Sequence, residues 1–325
     1  MKRTVVLVAG EVDLALAARL AGRFELVELR GGPLALAAAV LRTGAAIVHL
    51  DAAAGCLARS AAAKLGGAAV LWQIDEGPPP AGRALCAALA DALVAPSAAQ
   101  AQSCRERLPR QLVVHIAPGI DCAPFQRLNR APVTADAPLR LAYLGPLESG
   151  QGLAEMIEGL RLARESGVRA RLVIAGSGGE EPRLRHQAAD AGLGRDVVFA
   201  GETAAAGRAR LYLQCDALLL PAYSAGVPRV LLEAMAAGVV PVASAVGGIP
   251  EVVGDAETGL LIEPGDALAI AGAIARLARE RSHLARMSAA CRRRIATRFS
   301  VERAAAELSA LYFMLAAAPR ARAAL

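Results

Sequence analysis

The sequence predicts an α/β protein built from two doubly wound domains in tandem. Three observations predict it. The 325 residues exceed what one hydrophobic core usually organises. Hydrophobic residues make up 55% of the chain, enough to fill two cores. Short apolar runs alternate with longer amphipathic stretches, the pattern of parallel sheets covered by helices on both faces.

In the first half, apolar runs predict strands over 5–9, 25–29, 46–50, 69–74, 92–95 and 113–117, with Ala- and Leu-rich helices such as 14–20 and 34–42 between them. Ser97 with Gln100 three residues on is a helix-capping pair. In the second half the strands are 139–144, 171–175, 197–200, 217–221, 240–243 and 259–262. Helices over 154–164, 182–191, 208–213, 230–237 and 267–281 alternate with them, and 300–317 reads as a terminal helix. Pro124, Pro132 and Pro138 fall in a stretch of little periodicity. The expected organisation is therefore a domain over 1–122, a linker over 123–138, a domain over 139–299, and a terminal helix and tail over 300–325. Facing each other, two such domains form a cleft at the carboxyl ends of both sheets, where open α/β sheets bind ligands. Phosphorylases, sugar-nucleotide epimerases and periplasmic-type binding proteins all fit that description.

The formal charge of +6 does not predict a nucleic-acid partner: aromatics are 3% of the chain, and the cations are spread along predicted helices. A peripheral contact with an acidic membrane remains open, through Arg292, Arg293 and Arg294 for example. Six isolated cysteines read as small buried hydrophobes in a reducing compartment, and no His or Cys spacing suggests a metal site. The apolar start of the chain leads directly into Glu11 and Asp13, which favours a first strand over a leader. The expected location is cytoplasmic, with the inner face of the membrane as the place of any peripheral contact.

The stretch from Pro221 to Gly238, PAYSAGVPRVLLEAMAAG, is the most informative. It reads strand, Gly/Pro loop, helix, with Gly238 ending the helix. Free amides at the helix start, Val230 and Leu231, together with the helix dipole make a ready anion site. Glu233, about one turn in, could accept hydrogen bonds from a ribose diol or merely favour the helix start electrostatically; position alone leaves both readings open.

This stretch, followed by Gly247-Gly248-Ile249-Pro250-Glu251, closely resembles the donor site of family 4 retaining glycosyltransferases of the GT-B fold, which has two Rossmann-like domains facing a cleft. Val197-Val198-Phe199-Ala200-Gly201, Gly176-Ser177-Gly178-Gly179-Glu180 and Thr258-Gly259-Leu260-Leu261 match too, and Pro118-Gly119-Ile120-Asp121 resembles the inter-domain signature. The resemblance is strong over about residues 139 to 300. It implies a nucleotide-sugar donor (UDP-, GDP- or ADP-sugar), with no covalent cofactor and a divalent metal compatible but not required. The acceptor it implies is a glycan or lipid-linked saccharide. It also implies roles: Glu233 on the ribose, the Val230 and Leu231 amides on the diphosphate beside Gly226 and Arg229, Phe199 and Gly201 beside the base, and Gly10 as a close approach for phosphates. Asp75 would stand near the reacting sugar, in a loop over 75–81 whose Glu76 is another candidate acceptor contact.

The sequence departs from the family pattern at four positions: one is Asp75, where a His commonly ends the fourth strand near the reacting sugar, and three lie at the donor site. Ala225 stands where the family has the first Glu of a pair, and Pro146 and Gln151 stand where it has Arg and Lys. Two missing cations opposite a diphosphate would cost on the order of 3–6 kcal/mol if nothing replaced them. Arg208, Arg210 and Arg229 are the candidate replacements. A catalytically weakened relative that binds a nucleotide or a partner enzyme is the alternative to an active transferase.

Overall fold

The computed structural model describes residues 4–9, 14–28, 32–50, 56–74, 87–126 and 137–318. The chain divides into two compact units, Met1–Asp121 together with Phe299–Leu325, and Cys122–Arg298. Each is built on a six-stranded, fully parallel sheet.

The first unit contains β1 (Thr4–Ala9), α1 (Leu14–Leu20), β2 (Phe24–Glu28), α2 (Pro33–Thr43), β3 (Ile47–Leu50), α3 (Cys56–Leu65), β4 (Ala69–Gln73), β5 (Ala92–Ala95), α4 (Ala98–Arg107) and β6 (Val113–His115). Its strand order is β2-β1-β3-β4-β5-β6. Alternate residues of each strand feed opposite faces, as the two-residue period of a strand requires. Leu7, Val48, Val70, Trp72 and Leu93 pack with Leu36, Val40, Ala63 and Cys104 of the helices on one side. Val6, Ile47, Leu71, Ala92 and Val94 pack on the other with Leu308, Leu311, Tyr312 and Leu315. The latter four belong to α13 (Val301–Ala317), capped by Ser300, whose hydroxyl accepts from the Arg303 amide. The segment set apart in the sequence as a terminal helix thus packs, with Leu20 of α1, against one face of the first sheet. Its entry is pinned where Ile120 pairs with Ser300. Gly119 is required there, since a Cβ would stand 2.6 Å from the Ser300 carbonyl oxygen.

The second unit contains α5 (Ala123–Gln126), β7 (Leu139–Leu144), α6 (Leu153–Glu165), β8 (Ala170–Ala175), α7 (Glu181–Asp190), β9 (Val197–Gly201), α8 (Ala205–Gln214), β10 (Ala217–Leu220), α9 (Arg229–Ala236), β11 (Val240–Ser244), α10 (Ile249–Val252), β12 (Leu260–Ile262), α11 (Ala267–Arg279) and α12 (Arg281–Arg298). Strand order is β12-β11-β10-β7-β8-β9. The chain winds outward from β7 to β9, then returns to the other side of β7 for β10. That reversal is the switch point at which such sheets bind ligands.

The twelve predicted strands are all present, with bounds within two residues of those expected. Ser97 accepts from the Gln100 amide, as the capping pair predicts. One helix differs from expectation: the stretch read as 267–281 breaks at Glu280, whose ψ of 59° is not helical, and a separate helix continues to Arg298. Its buried Leu284, Met287, Cys291 and Ile295 form a new apolar stripe at helical spacing. Most of the expected linker, 127–136, lies outside the described residues. No helix of the described residues is long and apolar enough to cross a membrane.

Candidate functional site

At the carboxyl ends of β7, β8 and β9 the second unit holds a pocket of about 460 Å³. Leu144, Gly145 and Pro146 follow from β7, Ala175, Gly176 and Ser177 from β8, and Glu202 and Thr203 from β9. Arg208 of α8 and Val230 of α9 complete the lining. The floor is a contact between two backbones. A Cβ on Gly176 would lie 1.8 Å from the Gly145 carbonyl oxygen, so only glycine allows the β7 and β8 ends to meet there. Ser177 donates its hydroxyl to Glu202, which places a carboxylate on the β8–β9 side.

The start of α9 contributes Val230 to the lining. Its N-cap residue is Pro228, which has no side-chain acceptor for the orphan amides of the first turn. The Leu231 amide turns back onto the Pro228 carbonyl (3.0 Å), whereas no described residue accepts from the Val230 amide. Of the two amides read as free in the sequence, Val230 is the open one; Leu231 is fully buried and engaged. The loop before the helix is braced by a hydrogen bond from the Gly248 amide to the Gly226 carbonyl (3.1 Å).

Glu233 lies one turn further in, with its side chain 5% exposed. Arg208 meets it edge-on, donating from Nε to Oε2 (2.9 Å) and from Nη2 to Oε1 (3.2 Å). Arg229 donates from Nε to Oε1 at 3.0 Å, and the Tyr212 hydroxyl donates to Oε2 at 3.1 Å. A carboxylate offers about four lone-pair sites, and these four bonds occupy them. The hydrogen bond to Glu233 raises the Arg208 pKa. Burial pushes the Tyr212 hydroxyl pKa well above its usual value, reinforced by the Glu233 charge. Phe125 packs edge-on against Tyr212, so the carboxylate is walled by aromatic as well as cationic groups.

The other sequence-nominated residues are distributed around this centre. Pro146 is in the pocket wall, its carbonyl accepting from the Tyr143 hydroxyl at 2.9 Å. Gln151 lies beyond the pocket in the turn before α6, and Ala225 in the loop before α9. Gly201 ends β9 in a left-handed conformation (φ 69°). The Phe199 ring carries the Arg185 guanidinium 4.5 Å from its centre and is outside the pocket lining, where Glu202 and Thr203 stand instead. Arg210 is exposed and does not line the pocket. Gly10, Asp75 and Glu76 lie outside the described residues. Of the arginine run, Arg292 and Arg294 donate to the Ala237 and Glu251 carbonyls, locking α12 onto helix ends, and Arg293 is the exposed one.

Tyr212 and Arg208 as partners of Glu233 were not assigned from the sequence. Their signal is the spacing: Arg208 and Tyr212 are four apart on one helix, Arg229 and Glu233 four apart on another, so each pair shares a helix face.

Residues 126–294 match the model of the family "Glycosyl transferases group 1". The chain belongs to that family. Among curated relatives of this group 1 chain is a glycogen synthase of Mycobacterium tuberculosis, 30% identical over 194 residues, 60% of this chain and 46% of the relative. Another is the amylovoran biosynthesis glycosyltransferase AmsK of Erwinia amylovora, 31% identical over 185 residues, 55% and 46% of the two chains. The chain spans about half the length of these curated relatives. The crystal structure of Anabaena HepE in complex with UDP has the same fold, with a TM-score of 0.80 and 16% identity, covering 96% of this chain and 100% of that one.

Proposed function

We propose that this group 1 protein is a glycosyltransferase of family 4 that moves a sugar from a nucleoside-diphosphate donor to a glycan or lipid-linked saccharide with retention of configuration. The observation that carries this reading is the pocket at the carboxyl end of the second sheet, lined by an uncapped helix start, a guanidinium and a carboxylate. Such a pocket suits a ligand with an anionic end and a hydrogen-bond-donating end, and a nucleoside diphosphate has both. The Val230 amide and the dipole of α9 would receive phosphate oxygens, stabilising the negative charge that grows on the leaving diphosphate. In the transfer, the bond from the sugar C1 to the diphosphate oxygen breaks and the acceptor oxygen bonds C1 on the same face. The acceptor proton passes to a donor phosphate oxygen. A ribose contact by Glu233 requires the diol to take the place of one of its present donors. The enzyme would act in the cytoplasm, at the inner membrane face if the acceptor is lipid-linked.

A second reading, a relative that binds a nucleotide or a partner without transfer, is favoured by Ala225 and by the fully engaged Glu233 carboxylate. Calorimetric titration with UDP, GDP and ADP, with and without magnesium or manganese, tests the donor site, and release of nucleotide from the matching nucleotide sugar tests turnover. Micromolar binding with turnover supports transfer. Binding without release of nucleotide selects the second reading, and no binding overturns both nucleotide readings.

A further inference from the structure

Pro146 and Gln151, which the resemblance sets where cations would stand, carry no charge. Pro146 nevertheless lines the pocket, and the side chain lining it with Pro146 and Val230 is Arg208. Arg208 arrives from α8, the helix that crosses from the β9 side of the sheet to the β10 side. Its Nε–Nη2 edge is held by Glu233, and no described residue engages Nη1. The guanidinium is therefore fixed along one edge and open along the other, with 29% of the side chain exposed. Arg229 docks on the same carboxylate from the helix start. Of these two guanidinium groups, Arg208 is the one that lines the pocket, together with the carboxylate of Glu202.

From this arrangement we infer that Arg208 is the diphosphate-binding cation of this protein, relocated from the strand-end loop to α8, and that Glu233 acts as the residue that positions it. The inference rests on the donor-site reading and deepens it. A guanidinium fixed by a buried carboxylate loses little freedom on meeting a phosphate, and its planar fork suits two phosphate oxygens. Glu233 then serves the phosphates through Arg208, and its own oxygens need not leave their present partners.

The test compares a nucleoside diphosphate with the corresponding monophosphate. Wild type, Arg208→Gln, Arg208→Lys and the double variant Arg208→Gln/Pro146→Arg are titrated calorimetrically with UDP, GDP and ADP and then with the monophosphate of the base that binds. Thermal unfolding is followed to confirm that each variant is folded. Arg208→Gln is expected to weaken diphosphate binding about 10- to 100-fold, and to weaken monophosphate binding less, so that preference for the diphosphate collapses. Lysine should retain part of that preference, and the arginine at 146 should restore it. The affinity of wild type for the diphosphate should also fall more steeply with salt than that of Arg208→Gln. An unchanged diphosphate-to-monophosphate ratio in folded Arg208→Gln overturns the role of Arg208 while leaving the donor site standing. Absence of nucleotide binding by wild type overturns the donor site, and this inference with it.

Discussion

The carboxylate of Asp216 accepts three hydrogen bonds from Arg140: from the backbone amide and Nε to one oxygen, each at 3.0 Å, and from Nη2 to the other at 2.6 Å. The Asp216 amide returns a bond to the Arg140 carbonyl at 2.7 Å. These residues stand where β7 and β10 begin, at the end of the sheet away from the pocket, and join the two strands flanking the switch point.

Asp216→Ala is expected to destabilise the second unit while sparing the pocket. Asp216 is 1% exposed and Arg140 about a third exposed. The cost should therefore fall below the 3–5 kcal/mol of a fully buried pair, at about 2 kcal/mol. Calorimetry should show the midpoint of the second unit falling by roughly 4–8 °C, with nucleotide affinity of the folded protein unchanged. An unchanged midpoint would show that backbone bonds alone hold these strands.

In the first unit the Tyr312 hydroxyl lies 2.6 Å from Nδ1 of buried His49. Tyr312→Phe keeps the ring and its edge-on contact with Phe24 but removes this bond. A loss of about 1–3 kcal/mol is expected, measured by chemical denaturation. Because Tyr312 belongs to the terminal helix, amide exchange in α13 should quicken more than in the second unit.

Gly176→Ala should be among the most damaging single-methyl changes in the second unit. The added carbon would meet a backbone oxygen, and relief requires β7 and β8 to separate at the pocket floor. Loss of nucleotide affinity at least as large as the loss of thermal stability is the expected outcome. Wild-type affinity would show that the floor is not part of the ligand site.

The pair between Arg19 of α1 and Glu302 of α13 should give a pH-dependent contribution. The hydrogen bond from Arg19 holds the Glu302 pKa below the usual glutamate value. A depressed carboxylate pKa stabilises the folded state above the unfolded value, about 4.3, and that stabilisation disappears as pH falls through the lower folded value. Arg19→Ala should therefore lower the melting midpoint slightly at pH 7 and leave it unchanged near pH 2. An equal decrement at both pH values would indicate lost packing rather than lost charge.

The central strands were legible because β3, β5, β10 and β11 are short runs buried on both faces, and burial leaves little choice of residue. Ser97 was legible because a cap is a local rule. Glu233 stands out in the sequence, but its partners do not. A sequence shows that Arg208 and Tyr212 share one helix face, and Arg229 and Glu233 another, but the meeting of those faces is set by how α8 and α9 cross the sheet. Phe199 illustrates the converse. Its strand is correct in the sequence, yet the pleat turns its ring under Arg185 and leaves Glu202 and Thr203 at the pocket.

The terminal helix that completes the first core has a consequence for how the chain is made. Leu308, Leu311, Tyr312 and Leu315 leave the ribosome only after the whole segment Cys122–Arg298 has been synthesised. At roughly 5–20 residues per second, one face of the first sheet, with Val6, Ile47, Leu71 and Val94, waits on the order of ten to forty seconds without its cover from this helix. The second unit carries no such debt to later sequence and is free to fold first, so the nascent chain matures from its middle outward. A chaperone that shields apolar sheet surface during translation would be needed for the amino-terminal portion alone.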